Sequence, residues 1–148
     1  MTHRVAGCEL CDLNSVAKPS TVVDNDKFIV ILVDDANYPG FARVIWKDHV
    51  REVSDLPDAD RLLLNDAVFK LELAVRDVMQ PLKVNVASLG NVVPHLHWHV
   101  IPRYADDAHF PAPVWAQAQR ATPDAVLAER RKRVPQLAEA IARRFASR

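Results

Sequence analysis

The pattern of apolar and polar positions divides the chain into segments with two different periods. Residues 27–33 form a nearly continuous apolar run with β-branched side chains, which predicts a strand buried on both faces. Shorter apolar runs at 21–23 and 42–46 predict two neighbouring strands. The segments 82–88 and 96–102 alternate between apolar and polar residues, and this period of two predicts two further strands.

Between these groups of strands, apolar positions recur at helical spacing. Pro57 opens the predicted helix, which extends to about Met79 before Pro81 ends it. Its predicted apolar stripe consists of Leu62, Leu63, Ala67, Leu71, Ala74, Val75 and Val78. The tail from about Asp124 to Ser147 is also predicted to be helical, despite Pro135. This order of elements predicts an α+β fold with a mainly antiparallel sheet.

Composition narrows the classes of protein to which the chain belongs. Its 148 residues fit one domain with one ordinary core. Nineteen basic and nineteen acidic side chains cancel, so the net charge does not indicate nucleic-acid binding, and the basic run 130–133 is interpreted as a solvated helix face. No apolar run approaches the roughly 20 residues of a membrane span, and no long apolar segment near the N-terminus indicates secretion. We therefore expect a cytoplasmic protein with no nucleic-acid or membrane partner.

Three of the six histidines lie within five residues. Because side chains alternate between the faces of a strand, His95, His97 and His99 would share one face, with neighbouring Cα atoms about 6.6 Å apart. Their neighbours would pack into a core on the other face: Leu96, Trp98 and Val100. The residues alone leave three interpretations, which are a solvated polar face, a zinc site and a catalytic site for a phosphate group.

The two cysteines of the chain, Cys8 and Cys11, have C-x-x-C spacing. In a reducing compartment this spacing indicates a metal-binding pair or a redox pair rather than a structural disulfide. The spacing alone leaves both alternatives open.

The segment His95-Leu96-His97-Trp98-His99-Val100-Ile101 resembles the H-φ-H-φ-H-φ-φ signature of the histidine triad (HIT) superfamily, in which φ is apolar. Further segments follow the family's order: 28–33, the aspartates after it, 44–49, the long helix and 90–94. The resemblance covers about residues 8–115. It implies a HIT-like fold in a single domain, 1–148, with a C-terminal helical extension over about 116–148.

This resemblance, which is to bacterial nucleotide hydrolases of the diadenosine polyphosphate type, implies a hydrolase or nucleotidyl transferase. Such enzymes act at the α-phosphate of a purine nucleotide, in a dinucleoside polyphosphate, a phosphoramidate or a mixed anhydride. The middle histidine of the family's triad is the nucleophile, which implies that His97 forms a nucleotidyl-histidine intermediate. His99 is expected to donate a hydrogen bond to a phosphate oxygen, and His95 completes the triad. No catalytic metal is implied.

The segment from Phe28 to Asp35 resembles the family strand that holds the nucleoside. Apolar side chains of that strand flank the base, and its terminal acidic residue binds the ribose hydroxyls. The resemblance therefore implies Phe28 beside the base and Asp34 on the ribose, or Asp35 if the register differs by one. The alternative is that the two aspartates only form a turn.

The turn Gly90-Asn91-Val92 departs from the family pattern. Many relatives have Gly-Gln-Ser/Thr at these positions. Asn91 keeps an amide that would bind a phosphate oxygen, whereas Val92 lacks the hydroxyl that other members offer to the leaving group. We expect both side chains to contact the substrate, with a leaving-group preference that this departure alters.

A structural zinc site is also implied by the resemblance. Some family branches, and the related galactose-1-phosphate uridylyltransferases, bind zinc through C-x-x-C, a histidine after the second strand and the first histidine of the triad. The matching residues here are Cys8, Cys11, His49 and His95. Two cysteines and two histidines satisfy tetrahedral zinc without water. The alternative keeps His95 as a hydrogen-bond partner on the catalytic face, without metal.

Family members commonly dimerise through the long helix and the adjacent strand, so we expect a homodimer. Two other functions remain open from the residues. The first is a non-catalytic nucleotide-binding or scaffold protein that retains the HIT fold. The second is a zinc-dependent hydrolase that uses all three histidines of the row as metal ligands.

Overall fold

The structure is a computed structural model, and it describes residues 3–12 and 20–146. In these ranges the strands are β1 (Thr21–Asp24), β2 (Phe28–Leu32), β3 (Ala42–Trp46), β4 (Lys83–Ala87) and β5 (His97–Arg103). The helices are a short 3-10 helix (Val53–Asp55), α1 (Asp58–Met79), α2 (Asp124–Lys132) and α3 (Val134–Ala146). The strands form one sheet in the order β1-β2-β3-β5-β4, and every neighbouring pair is antiparallel. The predicted α+β fold with an antiparallel sheet is therefore confirmed.

One face of the sheet is covered by α1 and α3. Val30, Val44 and Val100 lie on this face and are fully buried. They pack against apolar side chains of both helices, among them Leu64, Leu71, Val75, Leu137 and Ile141. The predicted packing of the residues between the histidines is confirmed, because Leu96 and Val100 belong to this core and Trp98 packs against it.

The apolar stripe of α1 is shifted from the predicted one at its N-terminal end. Leu62 and Leu63 are 69% and 40% exposed, whereas Leu64 is fully buried. From Leu64 onward the buried positions are 64, 67, 71, 74, 75 and 79, which together form one helical face. Leu62 lies two residues, about 200°, away from Leu64 around the helix. It therefore lies outside the buried face of the helix.

The C-terminal tail contains two helices where the pattern predicts one. They are separated at Arg133, just before Pro135. Pro135 has no N–H to donate to the carbonyl of Arg131, and its ring would clash with that carbonyl in a continuous helix. The tail is otherwise helical as predicted, and Ser147 lies outside the described residues. No helix in the described ranges is long and apolar enough to cross a lipid bilayer.

The segment 104–123 contains no helix or strand, and a buried ion pair holds it against β5. Arg103 donates two hydrogen bonds to the Asp107 carboxylate, at 2.8 and 3.0 Å, and one to the carbonyl of Ala112 at 2.7 Å. Asp107 also accepts hydrogen bonds from the backbone N–H groups of Tyr104, His109 and Phe110. These contacts keep the loop ordered up to Trp115, which lies on the second face of the sheet.

Candidate active site and metal centre

His97 and His99 lie on the sheet face that the helices leave uncovered. Their ring centroids are 4.9 Å apart, and the rings meet edge to face. Arg43 joins them, because it pairs with His99 across β3 and β5. These three side chains line a cleft of about 530 Å³, here called the histidine cleft. Its other lining residues are Glu9, Leu10, Leu89, Gly90, Asn91, Val92, Val93 and Trp115.

The ring of His97 is held in one tautomer. Its Nδ1 lies 2.6 Å from the carbonyl oxygen of His95. Because a carbonyl oxygen only accepts hydrogen bonds, Nδ1 must carry the hydrogen, and Nε2 is left with its lone pair. Burial lowers the pKa of His97 below the ordinary 6.5, with the carbonyl contact opposing this and the Arg43 charge adding to it. At neutral pH this ring therefore presents an unprotonated nitrogen.

His99 is held in the opposite tautomer. Arg43 Nε donates a hydrogen bond to His99 Nδ1 at 3.2 Å. That nitrogen is therefore an acceptor, and Nε2 carries the hydrogen. Burial, the charge of Arg43 and the neighbouring His97 lower the pKa of His99 to about 4, so the ring is neutral at pH 7. The cleft thus combines a lone pair on one imidazole with an N–H donor on the next.

His95 is separated from the other two histidines of the row. It precedes β5, is almost completely buried, and its Nε2 donates to the carbonyl of Trp46 at 2.5 Å. Its Nδ1 therefore carries a lone pair, and it lies 3.5 Å from the sulfur atoms of both Cys8 and Cys11. His49 Nδ1 is 3.3 Å from the Cys11 sulfur. The expected row of three is thus divided between the cleft and this group, here called the Cys/His cluster.

The Cys/His cluster has the dimensions of a tetrahedral zinc site. The ligand atoms of its four residues all lie within 4.8 Å of one another. Sulfur and nitrogen ligands of tetrahedral zinc are about 3.3–3.8 Å apart, which agrees with the sulfur–nitrogen distances above. The Trp46 carbonyl orients the His95 ring, as a second-shell acceptor does at a metal. Burial raises the pKa of the Cys11 thiol and so disfavours the thiolate, which is the form that binds metal. A bound cation would stabilise the thiolate. These four residues therefore fit zinc.

The N-terminal segment is held against the sheet around this cluster. Leu10 packs on the isoleucines of the uncovered face: Ile29, Ile31 and Ile45. The backbone N–H of His49 donates to the carbonyl of His3 at 2.8 Å, and the backbone N–H of Val5 lies 3.4 Å from the Cys11 sulfur. The segment that carries both cysteines thus also supplies one wall of the histidine cleft.

The strand that the resemblance assigns to the nucleoside is β2, and its Phe28 points to the other face of the sheet than predicted. Phe28 is only 3% exposed and lies in the core, where its ring packs against Trp46 and Phe145. The expectation that Phe28 flanks the base is therefore wrong. Cross-strand register explains this, because Phe28 pairs with Trp46, whereas Ile29 and Ile31 point to the face of His97 and His99. Asn91 and Val92, in contrast, line the histidine cleft, and their contact with the substrate stays a prediction.

Asp34 and Asp35 do not line the histidine cleft. Both lie at a separate shallow cleft together with Gly40 and Arg131. Asp35 accepts a hydrogen bond from the backbone N–H of Asn37 at 2.9 Å, which agrees with the turn-forming alternative. Burial lowers the pKa of Arg43, and the carboxylate of Asp35 opposes this. The Asp35 carboxylate therefore acts electrostatically on Arg43, which lines the cleft.

Sequence reasoning missed several residues of the cleft, among them Arg43. Arg43 is the single charged residue of β3, and a charge in an otherwise apolar strand was the signal that could have identified it. Trp115 lies in an aperiodic loop, where no pattern places it beside the histidines. It is 54% exposed and forms an apolar wall of the cleft.

A sequence model of the HIT domain matches residues 14–106. The chain is 30% identical over 119 residues to Protein hit of Bacillus subtilis (strain 168), covering 76% of this chain and 81% of that protein. It is 29% identical over 96 residues to AP-4-A phosphorylase of Mycobacterium tuberculosis, covering 60% of this chain and 49% of that protein. The chain thus spans about half the length of the second relative.

Two solved structures share the fold. A histidine triad protein from Bradyrhizobium japonicum has a TM-score of 0.67 and 30% identity, over 86% of this chain and 92% of that one. A zinc-bound histidine triad family protein from Mycobacterium smegmatis has a TM-score of 0.62 and 22% identity, over 96% of this chain and 98% of that one. The sheet, the long helix and their order are therefore common to these proteins.

Proposed function

This chain belongs to the HIT domain family, and from that premise we propose that it hydrolyses or transfers a nucleoside monophosphate unit at the α-phosphorus of a purine nucleotide. His97 is the nucleophile of this proposal. The observation that carries it is the pair of opposite tautomers, with a lone pair on His97 Nε2 beside an N–H on His99 Nε2. A neutral imidazole is a competent nucleophile at pH 7.

In the first step, His97 Nε2 attacks the α-phosphorus. A phosphorus–nitrogen bond forms, the bond from phosphorus to the leaving group breaks, and the leaving group takes that electron pair. Nδ1–H of His97 remains bonded to the carbonyl of His95, which stabilises the positive charge that develops on the ring. His99 Nε2–H and the amide of Asn91 donate to the phosphoryl oxygens.

In the second step, a water molecule or another acceptor attacks the same phosphorus. The phosphorus–nitrogen bond breaks, its electron pair returns to His97 Nε2, and the acceptor's proton passes to solvent. The nucleoside monophosphate, or its transferred form, leaves the histidine cleft. This chemistry is positioning and charge stabilisation, which the side chains of the cleft supply without a catalytic metal.

Structural zinc in the Cys/His cluster is part of the same proposal. The fit of Cys8, Cys11, His49 and His95 to a tetrahedral site supports it. A cation there would hold the side chain of His95, whose carbonyl in turn orients His97. A reducing compartment such as the cytoplasm keeps the two thiols available to the metal.

We also propose that the chain forms a homodimer through α1 and β4. Leu62 and Phe69, seven residues apart on α1, are 69% and 55% exposed, so they form an apolar ridge on one side of the helix. β4 is an edge strand with unpaired backbone groups. Trp98 lies at this surface beside Leu62, and its buried Nε1–H has no hydrogen-bond acceptor among the described residues. A second copy would cover the ridge and the exposed part of Trp98.

Turnover by the wild type and His97→Ala tests the proposed function. Each protein is incubated with diadenosine tetraphosphate and with an adenosine phosphoramidate, and release of the nucleoside monophosphate is measured. We expect turnover by the wild type and a loss of roughly 10³-fold or more in His97→Ala, because the nucleophile is removed. Mass spectrometry should detect a nucleotidyl adduct on the wild type after rapid quenching.

His109→Gln is the matched control, since His109 lies outside both the cleft and the cluster. Substantial activity in His97→Ala would exclude His97 as the nucleophile. Nucleotide binding without turnover of either substrate by the wild type would favour a non-catalytic nucleotide-binding protein instead. Immediate loss of activity in EDTA, while the protein stays folded, would favour a zinc-dependent hydrolase.

A further inference from the structure

Arg43 brings a cation to the floor of the histidine cleft. It lies on β3 directly opposite His99, and its side chain is half-buried between His99 and the ring of Phe41. The guanidinium carbon is 5.4 Å from the centre of that ring, and Nε is committed to His99. The position of the charged group is therefore set by two neighbours that hold it from different sides.

The terminal nitrogens of this guanidinium have no hydrogen-bond acceptor among the described residues. Within residues 3–12 and 20–146, its two terminal nitrogens make no hydrogen bond, although a guanidinium carries five N–H donors. Arg43 is itself a lining residue of the cleft. The acidic lining residue Glu9 is exposed at the rim. Among the described residues, the four N–H groups on these two nitrogens thus have no acceptor, and they belong to a charged side chain that lines the cleft beside His99.

We propose that Arg43 binds a phosphate next to the one that His97 attacks, so that the site selects nucleotides with at least one further phosphate. This inference rests on the proposed function. A guanidinium matches two phosphate oxygens with parallel N–H groups, which gives both charge and geometry. It would also stabilise negative charge on a departing phosphate chain, where Val92 offers no hydroxyl.

The two donors of the cleft then have separate tasks. His99 Nε2–H serves the phosphoryl group under attack, and the terminal nitrogens of Arg43 serve the phosphate beyond it. A phosphoramidate with a neutral amine leaving group has no oxygen for the second task. Arg43 is therefore expected to discriminate between substrates by their leaving groups, in favour of phosphoanhydrides.

Binding in a catalytically inactive background tests this without turnover. In His97→Ala, the dissociation constants of AMP and ATP are measured by calorimetry without added Mg²⁺. We expect ATP to bind about tenfold or more tightly than AMP, as charge-assisted hydrogen bonds to extra phosphates provide. Adding Arg43→Gln should bring the two constants to within about twofold of each other. Adding Arg76→Gln, an exposed arginine of α1, should leave the preference intact.

Kinetics provide the second measurement. Arg43→Gln should lower kcat/KM for diadenosine tetraphosphate about tenfold or more relative to its effect on an adenosine phosphoramidate, and Arg43→Lys should recover part of that loss. Equal losses on both substrates would mean that Arg43 acts only through His99 and would overturn the inference. An absent ATP preference in His97→Ala would also overturn it. A preference that depends on Arg43, found in a protein that turns over neither substrate, would support Arg43 and reject only the proposed enzymatic activity.

Discussion

The carbonyl oxygen of His95 accepts a hydrogen bond from Nδ1 of His97 at 2.6 Å, while the side chain of His95 belongs to the Cys/His cluster. One residue therefore serves two sites. Its backbone holds the tautomer of the proposed nucleophile, and its imidazole offers a lone pair to the proposed metal. A displacement of His95 would reach His97 through a single peptide unit, so the cluster and the cleft are mechanically coupled.

Removal of one ligand of the Cys/His cluster should lower the stability of the protein and, indirectly, its rate of turnover. For Cys11→Ser we expect the zinc content to fall well below one ion per chain, with a lower Tm and an activity reduced roughly 10–100-fold. Elemental analysis, thermal unfolding and turnover measure these effects. A chelator should lower the Tm of the wild type and leave that of Cys11→Ser unchanged. Full zinc occupancy in Cys11→Ser would contradict the assignment of this ligand.

Loss of the Asp107 charge should destabilise the loop that carries Trp115. Asp107→Asn leaves Arg103, which is 2% exposed, without its counter-charge, and we expect a cost of about 3 kcal/mol in the free energy of unfolding. Urea denaturation measures it. Glu129→Gln breaks an exposed ion pair with Lys132 and is the control, since surface pairs contribute little. Similar stabilities of the two variants would refute a structural role for the buried pair.

The lowered pKa of Asp107 predicts that the protein loses stability in acid. Burial alone would raise the pKa of Asp107, but Arg103 and three backbone N–H groups lower it from 3.8 to about 2. Because the folded value is below the unfolded one, Asp107 stabilises the fold fully above about pH 4 and loses this contribution as pH falls towards 2. Unfolding free energies measured across that window should fall less steeply for Asp107→Asn than for the wild type. Parallel curves would show that Asp107 titrates normally.

A methyl group at Gly40 should be costly for two reasons. Its φ of +90° is unfavourable for other residues, and an added Cβ would lie 2.8 Å from Cγ of Met79. We expect Gly40→Ala to lower the free energy of unfolding by about 2 kcal/mol, measured by denaturant titration. Gly7→Ala is the matched control, because Gly7 has a φ of +82° and no atom within 4 Å of the added Cβ. Equal losses would mean that backbone strain alone accounts for the effect.

A charge on the apolar ridge of α1 should dissociate the proposed homodimer. Phe69→Glu buries an unpaired carboxylate in the interface, so we expect the variant to be a monomer where the wild type is a dimer. Light scattering coupled to size exclusion measures the mass. Ala142→Glu places the same charge on the exposed side of α3 and should remain dimeric. A monomeric wild type would reject the dimer outright.

Regular periodicity made much of the fold predictable. The alternation at 96–100 assigned Leu96, Trp98 and Val100 to the core, and the helical spacing identified α1 almost to the residue. Prediction failed where every position of a strand is apolar, because such a run does not show which side chains point to which face of the sheet. The run at 28–32 is apolar at every position, so only its pairing with β3 determines that Ile29, and not Phe28, shares the face of the histidines.

The sequence by itself thus determined which chemical groups are present and which segments carry them, because the period of a strand or helix is a local property. The tertiary structure decided which groups meet. Arg43 and His99 are far apart in the chain and become neighbours only because β3 pairs with β5. His95 leaves its row because the strand begins at His97, so the preceding backbone turns its ring towards Cys8 and Cys11. Those pairings depend on long-range packing, which no local pattern contains.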